Sequence, residues 1–162
     1  CEGVFVARTP DGFLRAARVL GRSYRAFLVQ PYVEGVHASV ALLGDGHRAV
    51  PLCLNAQWIR GPRRLVYCGG ATPLEHPLAG RAMAHAARVV EGIGGLRGFF
   101  GVDVVLTRNE AFVIEANPRI TTAYLGVRRV FCGNLAESIL QASQGRLPAR
   151  LQVRGRATYR VG

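Results

Sequence analysis

At 162 residues and 49% hydrophobic content, the chain can bury a core as one domain, in one lobe or two. No apolar run approaches the ~20 residues needed to span a membrane. The opening CEGVFVAR also lacks the basic and apolar regions of a signal peptide, so a cytoplasmic protein is expected. The net charge of +11 rests on arginine alone, for the sequence contains no Lys. Those arginines are dispersed apart from Arg60, Arg63 and Arg64 and the pair Arg128-Arg129, without interleaved aromatics or a zinc-finger or RNA-recognition signature. A nucleic-acid-binding domain is therefore the weaker reading of the charge.

In chain order the pattern predicts an α+β chain. A strand over Val4–Arg8 leads into a helix from Thr9 to Leu20, and Tyr24–Tyr32 reads as a further strand. Val36–Leu43 and Arg48–Asn55 read as antiparallel strands across the turn Gly44-Asp45-Gly46. Trp58 to Pro77 reads as an irregular loop, broken by Gly61-Pro62 and Gly69-Gly70. An Ala-rich helix follows from Leu78 to about Ile93, ended by Gly94-Gly95. After a hairpin over Gly98–Arg119 come a loop at Ile120–Gly126 and a helix from about Asn134 to Gln144. Asn134 is its N-cap, Glu137 stands at the capping-box position, and Gly145 is the stop. The cysteines Cys1, Cys53, Cys68 and Cys132 are widely spaced without a C-x-x-C pair. They suggest neither zinc nor a disulfide framework.

The hairpin GFFGVDVVLTRNEAFVIEANPR carries the chemistry. With Asn109 at the centre of its turn, alternation sets Leu106 against Phe112, Val104 against Ile114 and Val102 against Ala116, an apolar face. The same register sets Asp103 opposite Glu115, and Gly101 opposite Asn117, on the other face. A two-residue turn would slip that pairing by one. Two opposed carboxylates repel by a few tenths to about 1 kcal/mol unless something positive lies between them. Asp, Glu and Asn are hard oxygen ligands suited to a hydrated, phosphate-binding cation such as Mg²⁺, with Mn²⁺ an acceptable substitute. Arg119 adds a guanidinium suited to a phosphate or acyl-phosphate oxygen. Spacing alone is equally compatible with an ordinary hairpin whose acids are solvated.

A strand ending G-V-D-x-V-L, a short turn and then V-I-E-A-N-P-R resembles the metal-binding hairpin of the ATP-grasp ligases. The resemblance implies an ATP-grasp fold, largely antiparallel with flanking helices. It implies two Mg²⁺ ions held against ATP by Asp103, Glu115 and Asn117, with Glu115 bridging. FLVQPYVEG at Phe27–Gly35, followed by the alternating Ala38–Leu43, resembles the hinge between the family's lobes. Carried over, the main chain near Tyr32 and Val33 reads the adenine edge, Gln30 hydrogen-bonds the adenine amine, and His37 falls at the ribose contact. Gln30 stands where Glu is frequent in the family, and His37 where an acid is frequent.

Family members usually hold the α- and β-phosphates with lysines and a Gly-rich loop on the preceding lobe. Cys1-Glu2-Gly3 reads like the tail of such a loop, so the chain is expected to be the C-terminal part of an ATP-grasp domain. Residues 1–33 would then be the end of the central lobe and hinge, and 34–162 the metal- and ATP-binding lobe. SVALLGDG, PLCLNAQWI, YCGGATPLEHP and ANPRITTAYLGVRRV most resemble the tyramine–glutamate ligase group of methanofuran-type cofactor biosynthesis. The resemblance implies a carboxylate–amine ligase working through an acyl phosphate, with small-molecule carboxylate and amine substrates. A nucleotide-binding regulatory module is the alternative, and the oligomeric state stays open, a homodimer included. In the long loop, the stretch Asn55–Ile59 with Arg63, Arg64, Tyr67 and His76 is a source of substrate contacts, as are Thr121-Thr122. Solvated surface positions are an equal reading for Arg63, Arg64, Tyr67 and His76.

Overall fold

The computed structural model describes residues 3–148 and 151–161. The expected loop tail Cys1-Glu2 lies outside them. Among the described residues the chain forms four helices and six strands. They are α1 (Pro10–Leu20), β1 (Val36–Asp45), β2 (Ala49–Arg60), β3 (Val66–Thr72), α2 (Ala79–Ile93), β4 (Arg97–Leu106), β5 (Ala111–Asn117), α3 (Tyr124–Val130), α4 (Leu135–Ser143) and β6 (Ala157–Arg160). The strands make one sheet in the order β5-β4-β1-β2-β3-β6, with antiparallel neighbours throughout.

Alternation divides the core between the two sheet faces. Val40, Leu42, Leu54, Phe100, Val102, Val104 and Leu106 pack against Ala82, Ala86 and Val90 of α2. Ala41, Leu43, Cys53 and Phe99 pack on the opposite face against Val127 of α3 and Leu135 and Ala142 of α4. Phe99 meets Tyr124 edge-on, with centroids 6.0 Å apart. These helices cover only one end of the second face. The other end carries His37, Ser39, Asp103 and Glu115, and residues 3–33 lie over it.

Helix starts follow their capping chemistry. Thr9 accepts from the Gly12 amide, and Asn134 accepts from the Glu137 amide. Glu137 does not complete a capping box; its side chain accepts from Gln141 instead. His76 Nδ1 accepts from the Leu78 amide just before α2, which gives that loop histidine a structural place.

Several expected elements differ. Val4–Arg8 is not a strand: it forms a single bridge at Phe5–Arg64, flanked by Val6 N–H to Arg63 C=O and Leu65 N–H to Val4 C=O. Tyr24–Tyr32 is irregular, because a strand needs a partner and none among the described residues pairs with it. Leu28 in that segment is 83% exposed. The expected loop at Trp58–Pro77 is shorter, since β2 runs on to Arg60 and β3 fills Val66–Thr72. Gly61-Pro62 opens the loop that remains, whereas Gly69 and Gly70 are close-approach positions inside β3. A Cβ on Gly70 would collide with the Ala56 carbonyl of β2 and meet the Tyr159 hydroxyl at 2.8 Å. Helix α3 begins inside the expected loop at Ile120–Gly126, and the edge strand β6 was not expected at all.

Candidate active site

The expected hairpin forms, but its register is built in two steps. Thr107 N–H bonds Glu110 C=O, and the Thr107 hydroxyl accepts from the Glu110 amide at 3.0 Å. This closes the turn so that Leu106 pairs Ala111, Val105 pairs Phe112 and Val104 pairs Val113. A β-bulge then takes up Ile114, and beyond it Asp103 pairs Glu115, Val102 pairs Ala116 and Gly101 pairs Asn117. The expected opposition of Asp103 and Glu115 is present. The expected apolar pairs Leu106–Phe112 and Val104–Ile114 are not. Val113 packs on the core instead, while Phe112 and Ile114 are 44% and 39% exposed.

Asp103, Glu115, Asn117 and Arg119 border a cavity of about 910 Å³. Gln30, Tyr32, Val33, His37, Thr121 and Thr122 line the same cavity. The structure thus brings every candidate metal, nucleotide and phosphate residue to one space. Of the loop candidates, Gln57, Ile59 and Tyr67 also border it.

The electrostatics of the site start from Asp103. It is partly buried, and its pKa is raised, by burial first and by the Glu115 charge second; hydrogen bonds from Ser39 and Gln57 pull the other way. Ser39 is its cross-strand neighbour on β1, and Gln57 Nε2 donates to Asp103 Oδ1 at 2.9 Å. Asn117 is buried, and its Oδ1 accepts from Arg119 Nη2 at 3.3 Å. Thr121 rests on Gly101, the cross-strand partner of Asn117, where a Cβ would collide with it. The Thr121 hydroxyl oxygen is buried without a hydrogen-bond partner.

Elsewhere along the cavity, Arg8 sits over the Tyr32 ring at 5.7 Å and makes an exposed ion pair with Glu34 at 2.8 Å. Burial lowers the pKa of His37, which keeps the imidazole neutral at neutral pH. Tyr67 donates to the Tyr159 hydroxyl at 3.1 Å, and burial raises the pKa of both phenols.

Among the described residues no three His, Cys, Asp or Glu side chains cluster around one point. The candidate donor set is therefore two opposed carboxylates and an amide oxygen. Such a hard-oxygen set fits Mg²⁺, and a half-buried Asp103 facing the charge of the exposed Glu115 is the kind of site a cation relieves.

Residues 1–123 match the family described as the ATP-grasp domain. The chain belongs to the ATP-grasp family. It is 38% identical over 104 residues to the tyramine–L-glutamate ligase of Methanocaldococcus jannaschii, covering 63% of this chain and 32% of that protein. The Methanocaldococcus fervens tyramine–L-glutamate ligase is 40% identical over 104 residues, covering 63% of this chain and 33% of that protein. The chain thus spans about a third of the length of these curated relatives. The fold superposes on N5-carboxyaminoimidazole ribonucleotide synthetase from Thermus thermophilus with a TM-score of 0.75 at 19% identity, over 93% of this chain and 42% of that one. In the ATP-grasp setting the antiparallel sheet, the hairpin and the cavity beneath residues 3–33 are one construction.

Ser39 is a site residue that the sequence did not single out, and Gln57, expected among the substrate contacts, holds Asp103 instead. The signal was available: Cys53, Asn55, Gln57 and Ile59 alternate along one face once β2 is extended through Arg60.

Proposed function

We propose that the chain is the ATP- and metal-binding part of a carboxylate–amine ligase. Residues 1–33 would be the end of the central lobe and hinge, and residues 34–162 the lobe that carries the metal ligands. One observation carries the reading: Asp103 and Glu115 face each other across β4 and β5, and share a cavity with Asn117, Arg119 and the hinge residues.

In this reading Asp103, Glu115 and Asn117 would hold two Mg²⁺ ions. When bound, the ions neutralise the charge of the ATP phosphates. The main chain at Tyr32 and Val33 takes the adenine edge, Gln30 the adenine amine, and neutral His37 a ribose hydroxyl. A substrate carboxylate oxygen attacks the γ-phosphorus; its bond to the bridging oxygen breaks and ADP leaves. Arg119 stabilises the charge on the transferred group, and the unpartnered Thr121 hydroxyl can donate to an oxygen there. The amine then attacks the acyl carbon, phosphate departs, and an amide with one fewer N–H remains. No side chain needs to become a covalent nucleophile, so positioning and charge stabilisation are the protein's tasks.

The similarity to tyramine–L-glutamate ligases supports glutamate as the carboxylate and an aromatic amine as acceptor. ADP formation by the extended protein, measured with a panel of amino acids and amines, tests this. Glutamate- and amine-dependent turnover with an amide product is expected. Mg-dependent ATP binding with no product under any pairing would make the protein a nucleotide-binding module instead.

A further inference from the structure

Gln57 stands on β2, two strands away from Asp103 on β4, yet its side chain spans β1 and donates to Asp103 Oδ1 at 2.9 Å. The strand it crosses carries Ser39 between the two, paired with Asn55 on one side and Asp103 on the other. A small side chain at position 39 leaves that path open. Asn55 fixes Ser39 in turn: its Nδ2 donates to the Ser39 carbonyl at 2.9 Å, and its Oδ1 is held by the buried Thr72 hydroxyl and Cys53 thiol. β2 also carries an irregularity between Gln57 and Ile59 in its pairing with β3, the kind of feature that re-aims a side chain beside a site.

The geometry points to Gln57 as a positioning residue for the proposed cation site: its amide N–H fixes one oxygen of Asp103, and with it the orientation of that ligand. The inference rests on the metal reading of Asp103 and Glu115 and adds to it a group that, together with Ser39, holds Asp103 in place. A carboxylate facing a like charge across the strand turns away unless a donor holds it. Gln57 is a neutral donor, so it orients the ligand without competing for the cation's place. Outer-shell partners of this kind change metal affinity about 10–100-fold when removed.

The test uses the full-length enzyme with Gln57→Met, which keeps the bulk of the side chain and loses the N–H, and Gln57→Leu beside it. Two quantities are read: direct Mn²⁺ binding by electron paramagnetic resonance in the presence of ATP, and the Mg²⁺ concentration giving half-maximal ADP formation. Both are expected to weaken about 10–100-fold, with kcat at saturating Mg²⁺ reduced far less. In an Asp103→Asn background, Gln57→Met is expected to add nothing further, because the two residues act as one unit. Unchanged Mn²⁺ affinity in a folded Gln57→Met protein would overturn the inference. Failure of both variants to fold would do so too, since it would make Gln57 a packing residue. If Asp103→Asn itself leaves Mn²⁺ binding intact, the metal reading fails, whatever Gln57 does.

Discussion

Asp103 and Glu115 are directly opposed across β4 and β5, immediately beyond the bulge that takes up Ile114. Without that bulge the register set by the Thr107–Glu110 turn would continue, and Asp103 would face Ile114. The pairing of two acids is thus produced by an irregularity in the ladder. A like-charged pair costs the fold up to about 1 kcal/mol. Its persistence next to a large cavity is what a site built for a cation requires.

That cost is measurable. Asp103 has a raised pKa, so it holds its proton more tightly folded than unfolded. Its favourable contribution to stability is complete only below the ordinary carboxylate range and is lost as pH rises through the raised value. At neutral pH without metal, Asp103→Asn should therefore stabilise the protein by up to about 1 kcal/mol. The gain should shrink as pH falls into the acid range. Thermal melts in chelator at several pH values check this, and added Mg²⁺ should raise the melting temperature of the parent more than that of the variant. An Asp103→Asn protein less stable than its parent at neutral pH would contradict it.

The turn that sets the first half of the register is also testable. The Thr107 hydroxyl takes the Glu110 amide at 3.0 Å and lies 3.4 Å from that of Asn109. Thr107→Val keeps the shape and removes these bonds, which are worth about 1 kcal/mol each. A loss of about 1–2 kcal/mol in denaturant unfolding is expected. An unchanged midpoint would show that the Thr107 N–H to Glu110 C=O bond and Arg81, which donates to the Asn109 carbonyl at 2.8 Å, hold the turn without the hydroxyl.

Much of this was legible in the sequence. Thr9, Asn134 and the Ala-rich run before Gly94 place three helices, because capping and periodicity are local signals. The opposition of Asp103 and Glu115 was legible too, although by a register correct only beyond the bulge. Symmetry about Asn109 assumed an unbroken ladder, and the hydroxyl of Thr107 shifts the turn by one. β3 and β6 were hidden because Gly69 and Gly70 read as loop residues, whereas they admit the backbone of neighbouring strands. Tyr24–Tyr32 has strand-like residues but no strand among the described residues pairs with it, and pairing is not a property of the segment itself. The grip of Gln57 on Asp103 spans 46 positions of sequence, and no local pattern announces it.

Expressed alone, these 162 residues should bind Mg-ATP weakly at best and form no amide. In the proposed reading the hairpin would supply carboxylates and the main chain near Tyr32 and Val33 the adenine contact, but no Lys is present to hold the α- and β-phosphates. Arg119 and Arg8 border the cavity, and two guanidiniums do not replace a lobe that closes over the nucleotide and excludes water. ATP-dependent phosphate release by this chain and by the extended protein, under the same substrates, makes the comparison. Robust amine-dependent turnover by the 162-residue chain would refute it.

The most direct test of the metal assignment is Glu115→Gln in the full-length enzyme, read as Mg-dependent ADP formation alongside circular dichroism. The amide nearly matches the carboxylate in shape, and Glu115 is exposed to the cavity, so the fold should be unchanged. Replacing the charged oxygen between two proposed cations should lower turnover by at least about 100-fold, and Asp103→Asn should be milder because it would hold one ion. A folded Glu115→Gln enzyme with near-normal Mg-dependent activity would contradict the account.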